Sequence, residues 1–565
     1  MKEREPAVVP AVLVRGARGA VSSPHALASQ AGIGMLRAGG SAVDAAIATN
    51  AALAVVSCFM CGLGGDAFWL IWDVEAGAAR ALNGSGRSAS RATVEAASDA
   101  GLKAMPLRGA WTITVPGAID SWHEAHQRYG RMPWTVLFEP AIELATDGFP
   151  ASETWLRAIA SGTRAFGDGS DWARTFRAGG REVRLGDRVT LPSLGRTLKR
   201  IAEEGAATAY TGAVARQAAD YLESRGSPLR ADDFAAHRSD WLEPITTDYR
   251  GVTSVSHPPN SSGPLALLTL NMLSISDPPP AGAFDGRGVD DVDWVHLGLE
   301  ASRLVLAERD AKLTDLDAME DGALAGLLSR ELAAELVGRI DRRRATPPIL
   351  TTLPRGGGTI YLATADRWGG AVSLIQSNYA GFGSGLVDPQ TGIGYQNRGA
   401  FFRLDPSHPN ALAPRKRTVH TLTPGMLLRD GRPWIVHGSM GGEIQPQVFG
   451  QFVSAVVDGG LDVGTAVAAP RWAADVEEHL GPPSLTVLES RYHPSVIEGL
   501  RARGHDIRID EPWSSGMGHE HAIELVRGPG RERDADTDTD ADGDGDTLTI
   551  AATADPRSEG LPAVW

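Results

Sequence analysis

Apolar residues recur at helical spacing over residues 26–38 and stop at Gly39-Gly40, which predicts a helix with a glycine C-cap. Ser41 with Asp44 three residues later reads as an N-cap followed by an acid in the first turn, opening a second helix over 42–56. That segment is nearly all Ala, Val, Ile and Leu, and a helix apolar on most sides is expected to be buried. Gly62-Leu-Gly-Gly-Asp66 then leads into Ala-Phe-Trp-Leu-Ile-Trp, a strand. The same logic gives a turn at Val115-Pro-Gly117, helices over 118–129 and 133–147, and further helices within 195–225 and 290–315. His257-Pro-Pro-Asn-Ser-Ser-Gly263 is a stiff loop entering a buried helix at 264–274.

The period changes after residue 358. Thr359–Asp366 and Gly370–Gln376 predict two strands joined by Arg-Trp-Gly, and 424–438 a further pair hinged at Asp430-Gly431. Strands are also expected at 522–526 and 547–552. Helices followed by strands suit a layered α/β sandwich. No solenoid-type repeat is visible.

The 565 residues are 42% hydrophobic and 22% charged, enough for a large core. Length alone would suggest about three or four domains, but the motifs below tie distant segments into one unit. The net charge of -15 argues against nucleic acid or an anionic membrane as partner. Seven Asp residues alternate between Asp534 and Asp546, leaving about -8 elsewhere. Residues 528–546 read as a disordered polar insertion in a hairpin. A calcium loop counted from Asp540 would need a Glu at its twelfth position, where Ala551 stands. No membrane-length apolar run and no signal peptide is seen, so a cytoplasmic location is expected.

Several residues could carry chemistry. Cys58 and Cys61 are the two cysteines; with no second pair for zinc, they read as small buried side chains. His519-Glu520-His521 could offer two strand-borne ligands, but no third is evident, so no metal and no cofactor is expected. Glu300, Arg303, Glu308, Arg309 and Asp310 fall on one helix and read as ion pairs. Gly356-Gly-Gly-Thr359 opens a strand. On local sequence alone it reads as a glycine-rich turn before a strand. Alternatively, a cut before Thr359 would make Thr the first residue of a new chain, so that its own α-amine takes the hydroxyl proton. A free α-amine has a pKa of about 7.7–8.0, close enough to neutral for that role.

Ordered landmarks decide between these readings. Leu36–Ala46, Gly62–Asp66, Val115-Pro-Gly117, Pro259–Gly263, Gly358–Leu362, Gly381–Gly385, Gly438-Ser-Met-Gly-Gly442 and Ala554-Asp-Pro-Arg557 together resemble the γ-glutamyltranspeptidase family over roughly residues 18–560. The resemblance implies a four-layer αββα sandwich of the N-terminal-nucleophile hydrolase type, made as one precursor that cuts itself between Gly358 and Thr359. Residues 1–358 would form the large subunit and 359–565 the small one, the two remaining partners. It implies Thr359 as nucleophile, Ser377 as a neighbouring hydroxyl, and the Gly441 and Gly442 N–H groups as oxyanion donors.

The glutamate-recognition positions depart from the family. Where the family has an Arg for the α-carboxylate, this chain has Gly86, with Arg87 one place late. The family's serine pair becomes His420-Thr421, its amine-binding acid becomes Phe401, and a neighbouring polar residue becomes Arg398. The pocket thus loses an anion and keeps or gains cations at Arg87, Arg398 and His420, with Thr421 alongside. Unpaired cations call for an anionic partner. The expected activity is hydrolysis of the amide of a small carboxylate-bearing acyl group, oxamate- or glutaryl-like, through an acyl-Thr359 intermediate. The pattern is similar to the branch holding cephalosporin-acylase-like proteins and oxamate amidohydrolase. A γ-glutamyltransferase or glutathione hydrolase, and a non-catalytic binding member, are the alternatives. A homo-oligomer stays open.

Overall fold

The computed structural model describes residues 12–177, 182–346, 358–474, 485–528 and 548–565. The acidic run with its expected disorder and calcium reading, and Gly356 and Gly357, lie outside these residues.

Two seven-stranded antiparallel sheets form the centre. The strands of the first are β2 (Gly19–Ser22), β3 (Asp66–Asp73), β4 (Ala78–Gly84), β5 (Asp240–Leu242), β8 (Gly358–Asp366), β9 (Ala371–Tyr379) and β14 (Ala563–Val564), in the order β14-β2-β8-β9-β3-β4-β5. The second holds β1 (Leu13–Gly16), β6 (Ile245–Tyr249), β7 (Val252–Ser256), β10 (Gly425–Arg429), β11 (Arg432–Met440), β12 (His519–Arg527) and β13 (Leu548–Thr553), in the order β1-β13-β12-β11-β10-β7-β6. Strands from before and after Gly358 are neighbours in both sheets, so a cut at that point would leave two pieces hydrogen-bonded along several ladders.

Alternation along the strands sorts side chains into layers. Phe68, Leu70, Tyr361, Ala363 and Ile375 of the first sheet meet Val255, Met426, Val436 and Ile523 of the second. Trp69, Ile71, Ile360 and Leu362 point the other way, against helices α1 (Ala26–Arg37) and α2 (Ala42–Val56). Leu427, Ile435 and Ala522 pack outward on α6 (Gly263–Ser274), α7 (Val292–Lys312) and α8 (Gln445–Val457). The order is helices, sheet, sheet, helices, the expected αββα sandwich. The helices α3 (Ala118–Tyr129), α4 (Glu139–Thr146) and α5 (Pro192–Glu204) complete the first outer layer.

Most sequence-derived elements recur. Every residue of α2 is buried, and the Ser41–Asp44 capping box is formed in full. The expected helix at 133–147 splits into a 3₁₀ turn, Trp134–Phe138, and α4. His519-Glu520-His521 begins the strand expected at 522. No helix among the described residues is long and apolar enough to cross a membrane.

Candidate functional site

The site grows from strand register. Thr359 on β8 lies opposite Ser377 on β9, which lies opposite Asp66 on β3. Each shares parity with residues of the inter-sheet core: Thr359 with Tyr361, Ser377 with Ile375, Asp66 with Phe68. Three polar side chains therefore form a row facing the space between the sheets, and all are buried.

A bulge marks the start of the row. Gly358 opposes Tyr379 while Thr359 opposes Ser377, so Asn378 is skipped. Tyr379 takes up the turn at φ 72°, in the left-handed region.

Ser377 is the hub. Its Oγ accepts from the Tyr379 backbone N–H at 2.8 Å and from an Arg398 guanidinium N–H at 2.9 Å. A hydroxyl has two acceptor sites and one proton. With both sites filled, the proton is shared between the Gly358 carbonyl and Thr359 Oγ1, each 2.9 Å away. The cation on one side of Ser377 strengthens the donor on the other. The scissile carbonyl expected from the sequence thus accepts a hydrogen bond from a hydroxyl polarised by Arg398, beside the expected nucleophile.

Arg398 is wholly buried, its guanidinium over the Tyr379 ring at 4.7 Å and reaching Thr421 Oγ1 at 3.3 Å. Burial pulls its pKa down to about 10, which leaves it charged at neutral pH. Among the described residues no carboxylate oxygen lies within ion-pair distance of it. Phe401 stands in an apolar cluster with Tyr379, Leu313 and Val419.

The other two expected cations stand in different surroundings. Arg87 is not spare: its Nη2 lies 3.2 Å from Asp240 and 3.6 Å from Asp317, in a partly exposed ion-pair cluster. His420 is fully buried, and burial together with Arg398 and Arg417 holds its imidazole far below the usual range, hence neutral. Its Nε2 lies 3.2 Å from Asp66 Oδ2.

The Gly441-Gly442 turn follows β11. Ser373, opposite Ala363, reaches the His437 carbonyl at 3.3 Å, and a Cβ on Gly438 would stand 2.4 Å from the Tyr361 ring. Running from His437 to Gly438 therefore moves from Ala363 towards Thr359, and the turn falls at the Thr359 end of the sandwich. Both glycines have positive φ, 138° and 62°, which side-chain-bearing residues resist. Gln445, just beyond, accepts from the Thr423 backbone N–H at 3.1 Å and ties the turn to the segment carrying His420 and Thr421.

Cys58 and Cys61 are free thiols, pushed up by burial and so poor nucleophiles. His519 and His521 gather no third ligand among the described residues. The one such cluster there is elsewhere, His296, Glu300 and His505. Its facing ligand atoms already pair: His296 Nδ1 lies 2.7 Å from His505 Nε2, and Glu300 is held by Arg303 at 2.7 Å, while His505 Nδ1 has no hydrogen-bond partner among the described residues. Two imidazole nitrogens sharing a tetrahedral zinc would stand about 3.3 Å apart. The Glu300–Arg303 and Arg309–Asp310 pairs form as expected, and Arg309 adds Glu443 beside the glycine turn at 3.3 Å.

Sequence reasoning gives Asp66, the last residue of the Gly62–Asp66 loop, no role. The signal that could have found it is an acid closing a glycine loop at a strand start, with the parity of inward-facing Phe68.

Known proteins match this framework along its whole length. The family model described as Gamma-glutamyltranspeptidase matches residues 28–565. The glutathione hydrolase-like YwrD proenzyme of Bacillus subtilis is 39% identical over 516 residues, covering 91% of this chain and 95% of that protein. The oxamate amidohydrolase proenzyme of Klebsiella pneumoniae is 37% identical over 523 residues, covering 90% and 95%. The crystal structure of cephalosporin acylase from Bacillus halodurans superposes with a TM-score of 0.86 at 34% identity, covering 100% of this chain and 99% of that one. The chain belongs to the γ-glutamyltranspeptidase family.

Proposed function

We propose that this chain is a precursor that cuts itself between Gly358 and Thr359 and then hydrolyses the amide of a small acyl group carrying a carboxylate. In the cut, Thr359 Oγ1 attacks the Gly358 carbonyl carbon, the C–N bond breaks as the hydroxyl proton passes to the departing Thr359 nitrogen, and the Gly358 acyl group moves to the threonine oxygen as an ester. Water hydrolyses that ester, leaving a Gly358 carboxylate and a free Thr359 α-amine. Ser377 polarises the carbonyl for the first step. The products are a large subunit ending at 358 and a small one beginning at 359.

In the second reaction the α-amine takes the Thr359 hydroxyl proton as Oγ1 attacks the substrate amide. The Gly441 and Gly442 N–H groups hold the tetrahedral oxyanion; one such donor is worth about 3–4 kcal/mol in other hydrolases. The leaving amine departs with the proton, and water releases the acid.

The observation that carries the acyl specificity is Arg398. A buried cation that touches Ser377 and Thr421, with no carboxylate in ion-pair range among the described residues, is poised for an anionic acyl end. An oxamate- or glutaryl-like group fits, in keeping with the oxamate amidohydrolase and cephalosporin acylase among the relatives. A γ-glutamyl group is the second reading, favoured by the glutathione hydrolase-like relative; it needs an anion for its ammonium, and Phe401 occupies the expected place.

The test is a gel and a substrate pair. Wild-type protein should resolve into two bands and Thr359→Ala should stay whole. Processed enzyme should favour glutaryl-p-nitroanilide and oxamate over γ-glutamyl-p-nitroanilide. An intact wild-type chain after long incubation would sink the cleavage, and the reverse preference would sink the acyl assignment.

A further inference from the structure

The row Thr359–Ser377–Asp66 has one member that the chemistry above leaves unused. Asp66 is wholly buried. Its Oδ1 accepts from the backbone N–H groups of Gly86 at 3.1 Å and Gly117 at 3.3 Å. Its Oδ2 makes no hydrogen bond among the described residues, nor does either nitrogen of the buried His420 ring, whose Nε2 stands 3.2 Å away. A proton between Oδ2 and Nε2 pairs those two atoms and leaves Nδ1 of the buried ring without a partner among the described residues, which points to a missing one. Asp66 lies opposite Ser377 in the strand register, and the Arg398 charge acts on both Asp66 and His420.

The charged and titratable groups that face Asp66 come from several elements. They are Arg398, Arg417 and His420 from the segments after β9, Tyr210 from beyond α5, and, across His420, His257. Burial outweighs the two arginines and lifts the Asp66 carboxyl to about 7, while His420 stays neutral.

We propose that Asp66 and His420 form a proton-gated reader of the acyl carboxylate, donating one hydrogen bond to it beside Arg398 when Asp66 is protonated and repelling it when Asp66 is ionised. The proposal rests on the carboxyacyl reading above. A proton count gives the gate. Protonated Asp66 and neutral His420 hold two protons; one lies between them and one is left to donate outward. Ionised Asp66 and neutral His420 hold one, which the pair itself consumes. Binding of a carboxylate-bearing acyl group above the Asp66 pKa therefore takes up one proton. A neutral acyl group gains nothing from it. Asp66 is here a specificity-determining residue, separate from the steps at Thr359.

The experiment compares glutaryl- and butyryl-p-nitroanilide on processed enzyme across neutral pH. The Thr359 amine titrates with both substrates, so the ratio of their KM values isolates the carboxylate. That ratio should be flat below the Asp66 pKa and rise about tenfold per pH unit above it, the slope of a one-proton linkage. Asp66→Asn keeps an oxygen for Gly86 and Gly117 and places an N–H donor at the orphaned position, so its ratio should not rise. A flat wild-type ratio, or a rise that persists in Asp66→Asn, overturns the proposal. Should the variant fail to fold or process, calorimetry of glutarate binding to the wild type at alkaline pH, in two buffers of different ionisation enthalpy, still decides: uptake near one proton per site is expected, and none overturns it. An enzyme that cleaves γ-glutamyl but not glutaryl amides would instead defeat the parent reading.

Discussion

Replacing Ser377 by alanine isolates the self-cleavage step. Ser377 Oγ lies 2.9 Å from both the Gly358 carbonyl and Thr359 Oγ1, with its two acceptor sites occupied by Tyr379 and Arg398. Its proton is the one side-chain donor on the scissile carbonyl among the described residues. Negative charge grows on that oxygen as Thr359 attacks, so the donor gains strength in the transition state. Losing a donor of this kind costs about 2.7–4 kcal/mol, or two to three decades in rate at roughly 1.4 kcal/mol per decade. The same substitution orphans the Tyr379 N–H and one Arg398 N–H, at about 1–3 kcal/mol of stability for a buried polar group. Freshly purified precursor, followed by gel and intact mass, should thus convert to two chains about 10²–10³ times more slowly in Ser377→Ala, with a lowered but cooperative melting transition. Conversion at the wild-type rate would refute the assignment of that proton. A variant that melts like the wild type yet never cleaves would place Ser377 on the nucleophile rather than on the carbonyl.

Three further outcomes test other parts of the molecule. Burial alone would raise the Asp555 carboxyl, but Arg471 and Arg557 outweigh it and hold it well below the usual carboxylate range. A depressed folded pKa stabilises above the unfolded value of about 3.9 and is lost as pH falls through the folded one. Asp555→Asn should therefore lower the melting temperature at neutral pH and flatten its fall in acid; an unchanged acid profile would count against the cluster. Arg87→Ala removes a partly exposed ion pair worth about 0–1 kcal/mol, so KM for glutaryl-p-nitroanilide should hold within about twofold, and a large rise would return Arg87 to the substrate site. Gly438→Val sets a Cβ into the Tyr361 ring between the sheets and should cost about 1–3 kcal/mol by overpacking, read as a drop in denaturation midpoint; full stability would mean that the sheets part there freely.

Period and punctuation made the layers legible. The α2 helix, buried at every residue, follows from a stretch with no polar face and a Ser41–Asp44 cap. The β8–β9 hairpin follows from two apolar runs around Arg-Trp-Gly, and glycines at 441 and 442 mark a turn with positive φ. These are local properties: dihedral preference and side-chain parity are carried by neighbouring residues. Thr359 itself is singled out only through the order of distant landmarks, since three glycines before a strand single out nothing.

Charge was not legible in the same way. Arg87, Arg398 and His420 look alike in the chain as candidate cations, and tertiary structure separates them. Arg87 meets Asp240, 153 residues away, and is neutralised. His420 is buried beside two arginines and loses its proton. Arg398, equally buried, keeps its charge because a guanidinium holds its proton far more tightly than an imidazole. Asp66 entered the row for the same reason that Ser377 did, a register between strands far apart in sequence. The amino-acid order by itself determined which segments become helices and strands and which faces they bury, because those depend on spacing along the chain. Which charges survive, and which polar atoms are left without partners beside Thr359, was decided by the folded structure, because desolvation and pairing depend on what lies across the space between the sheets.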